Sequence, residues 1–247
     1  MSLIEVKNSQ IIRNQVKYKL KTNIGSLTSL IVSQVIALLL TIGSSSGGGI
    51  GSSWGLEIEY EYYTIDFISF FIIIWAFMVG MILPRLINEE ATFIATHKTN
   101  TIANLIYVLL LSCIAAATTI FAGYLQKVLL MINGTEVMDV GFSLFSDPSL
   151  FIGTIYVHIL YYFLACSLGY LFGTCVKYSR ILLIVIPAIL FGLLVFSMNK
   201  GVPIFQHFIF FYYNEPSMII FFIKILLTVI VFFGLSHLLN KRMEVGK

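Results

Sequence analysis

The chain has 247 residues, of which 58% are hydrophobic and only 11% charged, and its mean hydropathy is +0.94. An average water-soluble domain carries about 25% charged residues, so composition excludes a soluble globular class and makes the bilayer the solvent for this sequence. The net charge of +3 reflects an uneven placement of lysine and arginine along the chain and forms no nucleic-acid patch.

Taken in chain order, residues 1–22 come first as a cytoplasmic amphipathic helix. Ile4, Ile11 or Ile12, Val16 and Leu20 recur at helical spacing, while Lys7, Arg13, Lys17, Lys19 and Lys21 take the remaining positions. Such a helix suits an anionic inner leaflet, and its alternative is docking on a soluble partner. It lacks the short apolar core and small-residue cleavage site of a signal peptide, so the first span itself is expected to act as the insertion signal.

Six runs are long and apolar enough to expect a crossing of the roughly 30 Å hydrocarbon core: Ile24–Ile42, Phe67–Leu83, Ile102–Tyr124, Leu150–Val176, Ile181–Met198 and Met218–Leu239. None alternates in the manner of barrel strands. Helices satisfy their own backbone groups in lipid, so the expected fold is an all-α membrane protein forming a single transmembrane domain over residues 1–247. Between the first two runs lies GSSSGGGIGSS, Gly43–Ser53. It matches G-x-S-x-G, but it follows a helix and sits in low-complexity Gly/Ser, so a flexible tether is expected rather than a nucleophile elbow. The acidic, aromatic stretch Trp54–Asp66 then suits the outer interface.

Lysine and arginine set the orientation. Lys7, Arg13, Lys17, Lys19, Lys21, Arg85, Lys98, Lys177, Arg180, Lys241, Arg242 and Lys247 fall on one side of a six-span chain; only Lys127 and Lys200 fall on the other. The expectation is a multi-pass protein of the cell membrane with both termini cytoplasmic.

Chemistry is sparse. There is no G-x-x-x-x-G-K-[ST] loop, so any ATP hydrolysis belongs to another polypeptide, and no H-E-x-x-H. Cys113, Cys166 and Cys175 lie in the expected spans, odd in number and without metal-type spacing; they are expected to be packing residues. No catalytic, cofactor-binding or metal-ligating set is expected. Glu89, Glu90 and His97 invite comparison with intramembrane proteases, but they lie in a cytoplasmic connection, where a solvated polar loop fits better. His158 and His237 fall in or near spans, where an ionisable group is either functional or a helix-to-helix hydrogen bond. Lys224, inside the last span, either lines a translocation path, snorkels outward or pairs with a carboxylate.

Two connections carry more information. PRLINEEATFIATHKTNT, within residues 84–101, mixes Arg85, Glu89, Glu90, His97 and Lys98 with Leu86, Ile87, Phe93 and Ile94. The apolar spacing fits one face of a short helix, which either docks in a groove on a cytoplasmic partner or lies as an amphipathic turn at the inner interface. NKGVPIFQHFIFFYYN, within residues 199–216, is too apolar for a solvated loop and is expected to dip back into the bilayer as an extracellular re-entrant segment.

In this arrangement, and in Asn88-Glu89-Glu90-Ala91-Thr92-Phe93 followed by Thr96-His97-Lys98-Thr99-Asn100, the chain resembles the permease subunit of an ABC transporter of the type-2 exporter family. It departs from that family's pattern at Ala91, where a glycine is common, and at His97, where a proline would fall. The resemblance implies a coupling helix between spans two and three, seated on a separate ABC ATPase that binds ATP-Mg, and a second six-span permease subunit, the same chain or a related one. Arg85, Glu89, Glu90, Thr92, Phe93, His97 and Lys98 would make the ATPase contact, with Lys224, His158, Phe205 and Phe208 at a translocation path or gate. The Ile-, Phe- and Asn-rich composition is similar to that of Gram-positive permeases that export antimicrobial or phenol-soluble modulin peptides, so an amphipathic peptide is the expected cargo. An intramembrane enzyme of protease type, and a membrane anchor or assembly factor, are the alternative classes.

Overall fold

The computed structural model describes residues 8–41, 46–51, 57–62, 66–84, 97–132, 148–200, 211–212 and 217–245. The long elements are helices: α1 (Asn8–Thr22), α2 (Ile24–Thr41), α3 (Asp66–Ile82), α4 (His97–Ile132), α5 (Pro148–Tyr178), α6 (Leu182–Lys200) and α7 (Met218–Val245). α2, α4, α5 and α7 are each long and apolar enough to cross a membrane; α3 and α6 are shorter apolar helices. The protein is thus a helical, multi-pass membrane protein.

Local chemistry explains several boundaries. Asn23 stands alone between α1 and α2, its N–H bonded to the Lys19 carbonyl and its carbonyl accepting from the Ser26 N–H, the position where asparagine is favoured as a helix cap. Pro148 opens α5, where a missing N–H costs nothing. Ser179, Arg180 and Ile181 separate α5 from α6, and the Leu182 N–H donates to the Ser179 carbonyl across the turn. α4, at 36 residues, is about 54 Å long at 1.5 Å per residue, well beyond the roughly 30 Å of hydrocarbon.

Two of the sequence expectations are corrected. The Gly/Ser stretch is not a tether throughout: β1 (Ser46–Gly51) forms an antiparallel pair with β2 (Glu57–Tyr62), running from Ser46 opposite Tyr62 to Gly51 opposite Glu57. The alternation in EIEYEY has the period of a strand, and glycine admits close backbone pairing. The all-α expectation therefore holds for the long elements, with this antiparallel strand pair added among the described residues. Nor is Lys19 on the outer face of α1. It is 1% exposed, on a buried face shared with Gln15 and Val16, while Arg13, Lys17 and Lys21 are exposed. α1 thus spends its inward face on the protein itself.

The chain falls into two compact units, and the boundary between them lies within α1, α3, α4 and α5. Unit 2 comprises Lys17–Ala76 and Leu109–Phe163. Its core is Leu30, Ala37, Ile68, Ile72, Trp75, Leu111, Ala115 and Tyr162. Unit 1 comprises Met1–Val16, Phe77–Val108 and Leu164–Lys247. There Ala103, Tyr107, Cys166, Tyr170, Ile225 and Val229 are buried.

Within unit 1, α3 and α5 meet backbone to backbone. A Cβ on Gly80 would fall on the Cys166 carbonyl, one on Gly169 on the Phe77 carbonyl, and one on Gly173 on the Met81 carbonyl. Small residues that let backbones approach are the usual means of packing helices in lipid, where no hydrophobic effect drives association. The pairing of Phe77 with Gly169 and Met81 with Gly173 fixes the two helices as parallel. At their ends the Lys177 ammonium donates to the Pro84 carbonyl at 3.3 Å. α6 is different: no described side chain in it is buried.

Candidate functional site

The polar side chains within the apolar helices are arranged in pairs and chains. In unit 2 the longest chain links α5, α3 and α4. The His158 Nδ1–H donates to the Thr154 carbonyl one turn earlier at 2.7 Å. A carbonyl only accepts, so the neutral ring carries its proton on Nδ1 and turns the Nε2 lone pair outward. The Ser69 hydroxyl lies 2.7 Å from that Nε2 and is its donor. Tyr162, one turn on from His158, donates its hydroxyl proton to Thr119 Oγ1 at 3.1 Å. Thr119 in turn donates to the Ala115 carbonyl at 2.7 Å. The Tyr162 ring packs edge-on against the imidazole, with centroids 5.7 Å apart. Tyr162 and Thr119 are fully buried, whereas Ser69 and His158 are half-buried.

Two shorter links complete unit 2. Gln34 Nε2 on α2 donates to Thr118 Oγ1 on α4 at 2.8 Å, and the Trp75 indole on α3 donates to Ser29 Oγ on α2 at 2.9 Å.

In unit 1 the polar groups gather along α4, α5 and α7. Asn104 Nδ2 donates to the Tyr170 hydroxyl at 3.1 Å, and the Tyr170 ring stacks on Phe233 with centroids 4.7 Å apart. Thr101 Oγ1 lies 3.3 Å from His237 Nδ1. Lys224, on the second turn of α7, donates to the Phe211 carbonyl at 3.1 Å and sits 4.0 Å from the centroid of the Phe211 ring. The neighbouring Tyr212 hydroxyl is bonded to Thr228 at 2.9 Å. Of the roles expected for Lys224, the engagement observed is with a backbone carbonyl and an aromatic face.

A cation over an aromatic ring contributes about 0.5–2 kcal/mol, more as it is desolvated. Lys224→Leu should therefore release the Phe211–Tyr212 segment from α7 while leaving the helix apolar. Hydrogen–deuterium exchange of the peptide that carries Phe211 and Tyr212 is expected to become several-fold faster when Lys224 is replaced. An unchanged rate would show that Lys224 does not hold the segment.

The sequence-predicted residues distribute unevenly over this arrangement. Arg85, Glu89, Glu90, Thr92 and Phe93, like Phe205 and Phe208, lie outside the described residues, as does the side chain of His97, the first residue of α4. Lys98 follows it and is exposed. His158 is in the unit 2 chain, and Lys224 is in the α7 contact of unit 1. Sequence reasoning missed Ser69, Thr119, Tyr162, Asn104 and Tyr170. A signal was present in α4, where the buried polar residues Ser112, Thr119 and Gln126 recur every seven positions, which places them on one helix face. Of the cysteines, Cys166 is buried and Cys175 half-buried, but Cys113 is exposed, so it is not the packing residue expected.

Among the described residues, no group of three or more His, Cys, Asp or Glu side chains is arranged to hold a metal ion. Comparison of the chain with protein-family models, with curated proteins and with solved structures finds no match.

Proposed function

We propose that this chain is the six-span permease subunit of an ABC exporter of the type-2 family, that ATP hydrolysis takes place on a separate cytoplasmic subunit, and that the cargo is an amphipathic peptide carried out of the cell membrane. The observation that carries the reading is the parallel, backbone-close packing of α3 on α5. α5 is long enough to span, and a 17-residue apolar helix running beside it in the same direction supports counting α3 as a crossing too. With α6 crossing as well, six spans result and both termini face the cytoplasm, in keeping with the lysine and arginine distribution.

The mechanism follows from where motion would enter. The segment between Pro84 and α4 joins the end of α3, where Lys177 of α5 donates to the Pro84 carbonyl. A push on that segment is delivered to α3 and α5 together, because their backbones leave no room to slide independently. ATP-driven closure of two ATPase subunits would bias two permease subunits between states of different cargo affinity. Arg85, Glu89, Glu90, Thr92, Phe93, His97 and Lys98 supply the contact, combining apolar anchors with charge. Few charges within the spans suit an amphipathic cargo rather than a small ion.

Purification from the native membrane in mild detergent tests the partnership. A stoichiometric soluble subunit with a phosphate-binding loop is expected, and Glu89→Arg with Glu90→Arg should remove it while the permease still elutes as a single species. Recovery of the chain without such a subunit, unaffected by the double substitution, would overturn the proposal.

A further inference from the structure

The Ser69–His158 pair has the chemistry to do more than hold two helices together. We infer that Ser69 is a nucleophile and His158 its general base, hydrolysing an acyl ester or amide bond of an amphipathic molecule. This activity would reside in unit 2 alone and does not rest on the permease reading.

Several features point the same way. The distance of 2.7 Å from Ser69 Oγ to His158 Nε2 is that of a working nucleophile–base hydrogen bond. The base is in the competent tautomer, because the Thr154 carbonyl holds the proton on Nδ1 at 2.7 Å. In a nucleophile–base–orienter arrangement the third group fixes the ring and supports the positive charge that forms on it, and here a backbone carbonyl takes that place. The Tyr162 ring sets the plane of the imidazole. Burial is graded as a site requires: Tyr162 and Thr119, behind the pair, are fully buried, while the two reacting groups are half-buried.

The position of Ser69 adds a means of stabilising charge. It is the fourth residue of α3, so its side chain leans back over the first turn. The N–H groups of Asp66, Phe67 and Ile68 have no acceptor within the helix. Donors of this kind stabilise an oxyanion. Ser69 lies only about 5 Å along the axis from the helix start, within reach of water at the membrane edge. Phe67 and Phe70, both exposed, form an apolar platform beside it. A molecule bound there would lay an apolar chain on the rings and present its carbonyl to the first turn.

The reaction balances with water as the only co-reactant. Ser69 Oγ bonds to the acyl carbon as its proton passes to His158 Nε2. The bond from that carbon to the leaving oxygen or nitrogen then breaks, and His158 returns the proton to the leaving group. Water repeats the sequence on the acyl-serine, releasing the carboxylic acid and restoring the Ser69 hydroxyl.

The full-length protein in mild detergent, without any ATPase subunit, should react with a fluorophosphonate probe, and mass spectrometry should place the adduct on Ser69. Ser69→Ala should abolish labelling. His158→Gln should slow it by about 100-fold or more, the usual contribution of a general base. Ser69→Ala and His158→Gln should elute as the same monodisperse species as wild type, and Gly25→Ala, where an added Cβ meets nothing within 4 Å, should label like wild type. Failure of wild-type protein that elutes as one monodisperse species to label at Ser69, or equal labelling in His158→Gln, would overturn the inference and leave the pair as an interhelical hydrogen bond.

Discussion

Gly80→Ala is expected to destabilise the protein by about 3 kcal/mol or more, and Gly169→Leu to prevent recovery of folded material, although alanine and leucine are both better helix formers than glycine. The reason is the identity of the neighbouring atoms. The new Cβ at residue 80 would meet the Cys166 carbonyl and the Tyr170 nitrogen, and that at residue 169 would meet the Phe77 carbonyl and the Met81 nitrogen. These are backbone atoms of a neighbouring helix, and no change of rotamer relieves the overlap. α3 and α5 would have to separate along their length, giving up the dispersion contacts that hold helices together in lipid. Gly25 and Gly192 provide the internal control, since a Cβ at either meets nothing within 4 Å. Replacing them by alanine should be neutral or stabilising by up to about 1 kcal/mol. Thermal midpoints by size-exclusion chromatography in one detergent would separate the two groups, and a common response of all four positions would contradict the packing described.

Tyr170→Ala is expected to cost about 3–5 kcal/mol, the range for truncating a large buried aromatic. Tyr170 is 1% exposed, accepts a hydrogen bond from Asn104 and stacks on Phe233. It thereby links α4, α5 and α7 within unit 1. Tyr170→Phe keeps the stack and loses only the hydroxyl, so it should cost about 1 kcal/mol. A double-mutant cycle with Asn104→Ala isolates the hydrogen bond, whose coupling energy should be well under that of the ring. If Tyr170→Phe were as damaging as Tyr170→Ala, the polar link rather than the ring packing would dominate.

Much of this architecture is legible in the sequence. Apolar runs of span length place the helices because lipid leaves a backbone no other partner than itself, and Gly169 and Gly173 display the small-xxx-small spacing of a close helix contact. Lys19 is instructive because assuming that every charge in α1 faces outward puts it on the wrong side. It stands seven residues after Ile12, so helical geometry alone assigns it to the inward face. β1 was hidden because a run of glycines has no side-chain alternation to read; its evidence lies in the alternating partner strand, Glu57–Tyr62. The hydrogen-bonded pairs were beyond a linear reading. Ser69 and His158 are 89 positions apart, and Thr101 and His237 are 136 apart. Such partners are brought together by helix order and register, which leave no local trace.

The central claim is that this chain moves an amphipathic peptide at the expense of ATP bound elsewhere. It is tested most directly in inside-out vesicles containing the permease with its copurified ATPase subunit and a fluorescent, cationic amphipathic peptide. The account predicts accumulation of the peptide inside the vesicles only with hydrolysable ATP, and loss of that accumulation when Glu89 and Glu90 are both replaced by arginine. Peptide uptake that is the same with and without ATP, in vesicles whose ATPase subunit is intact and active, would contradict it.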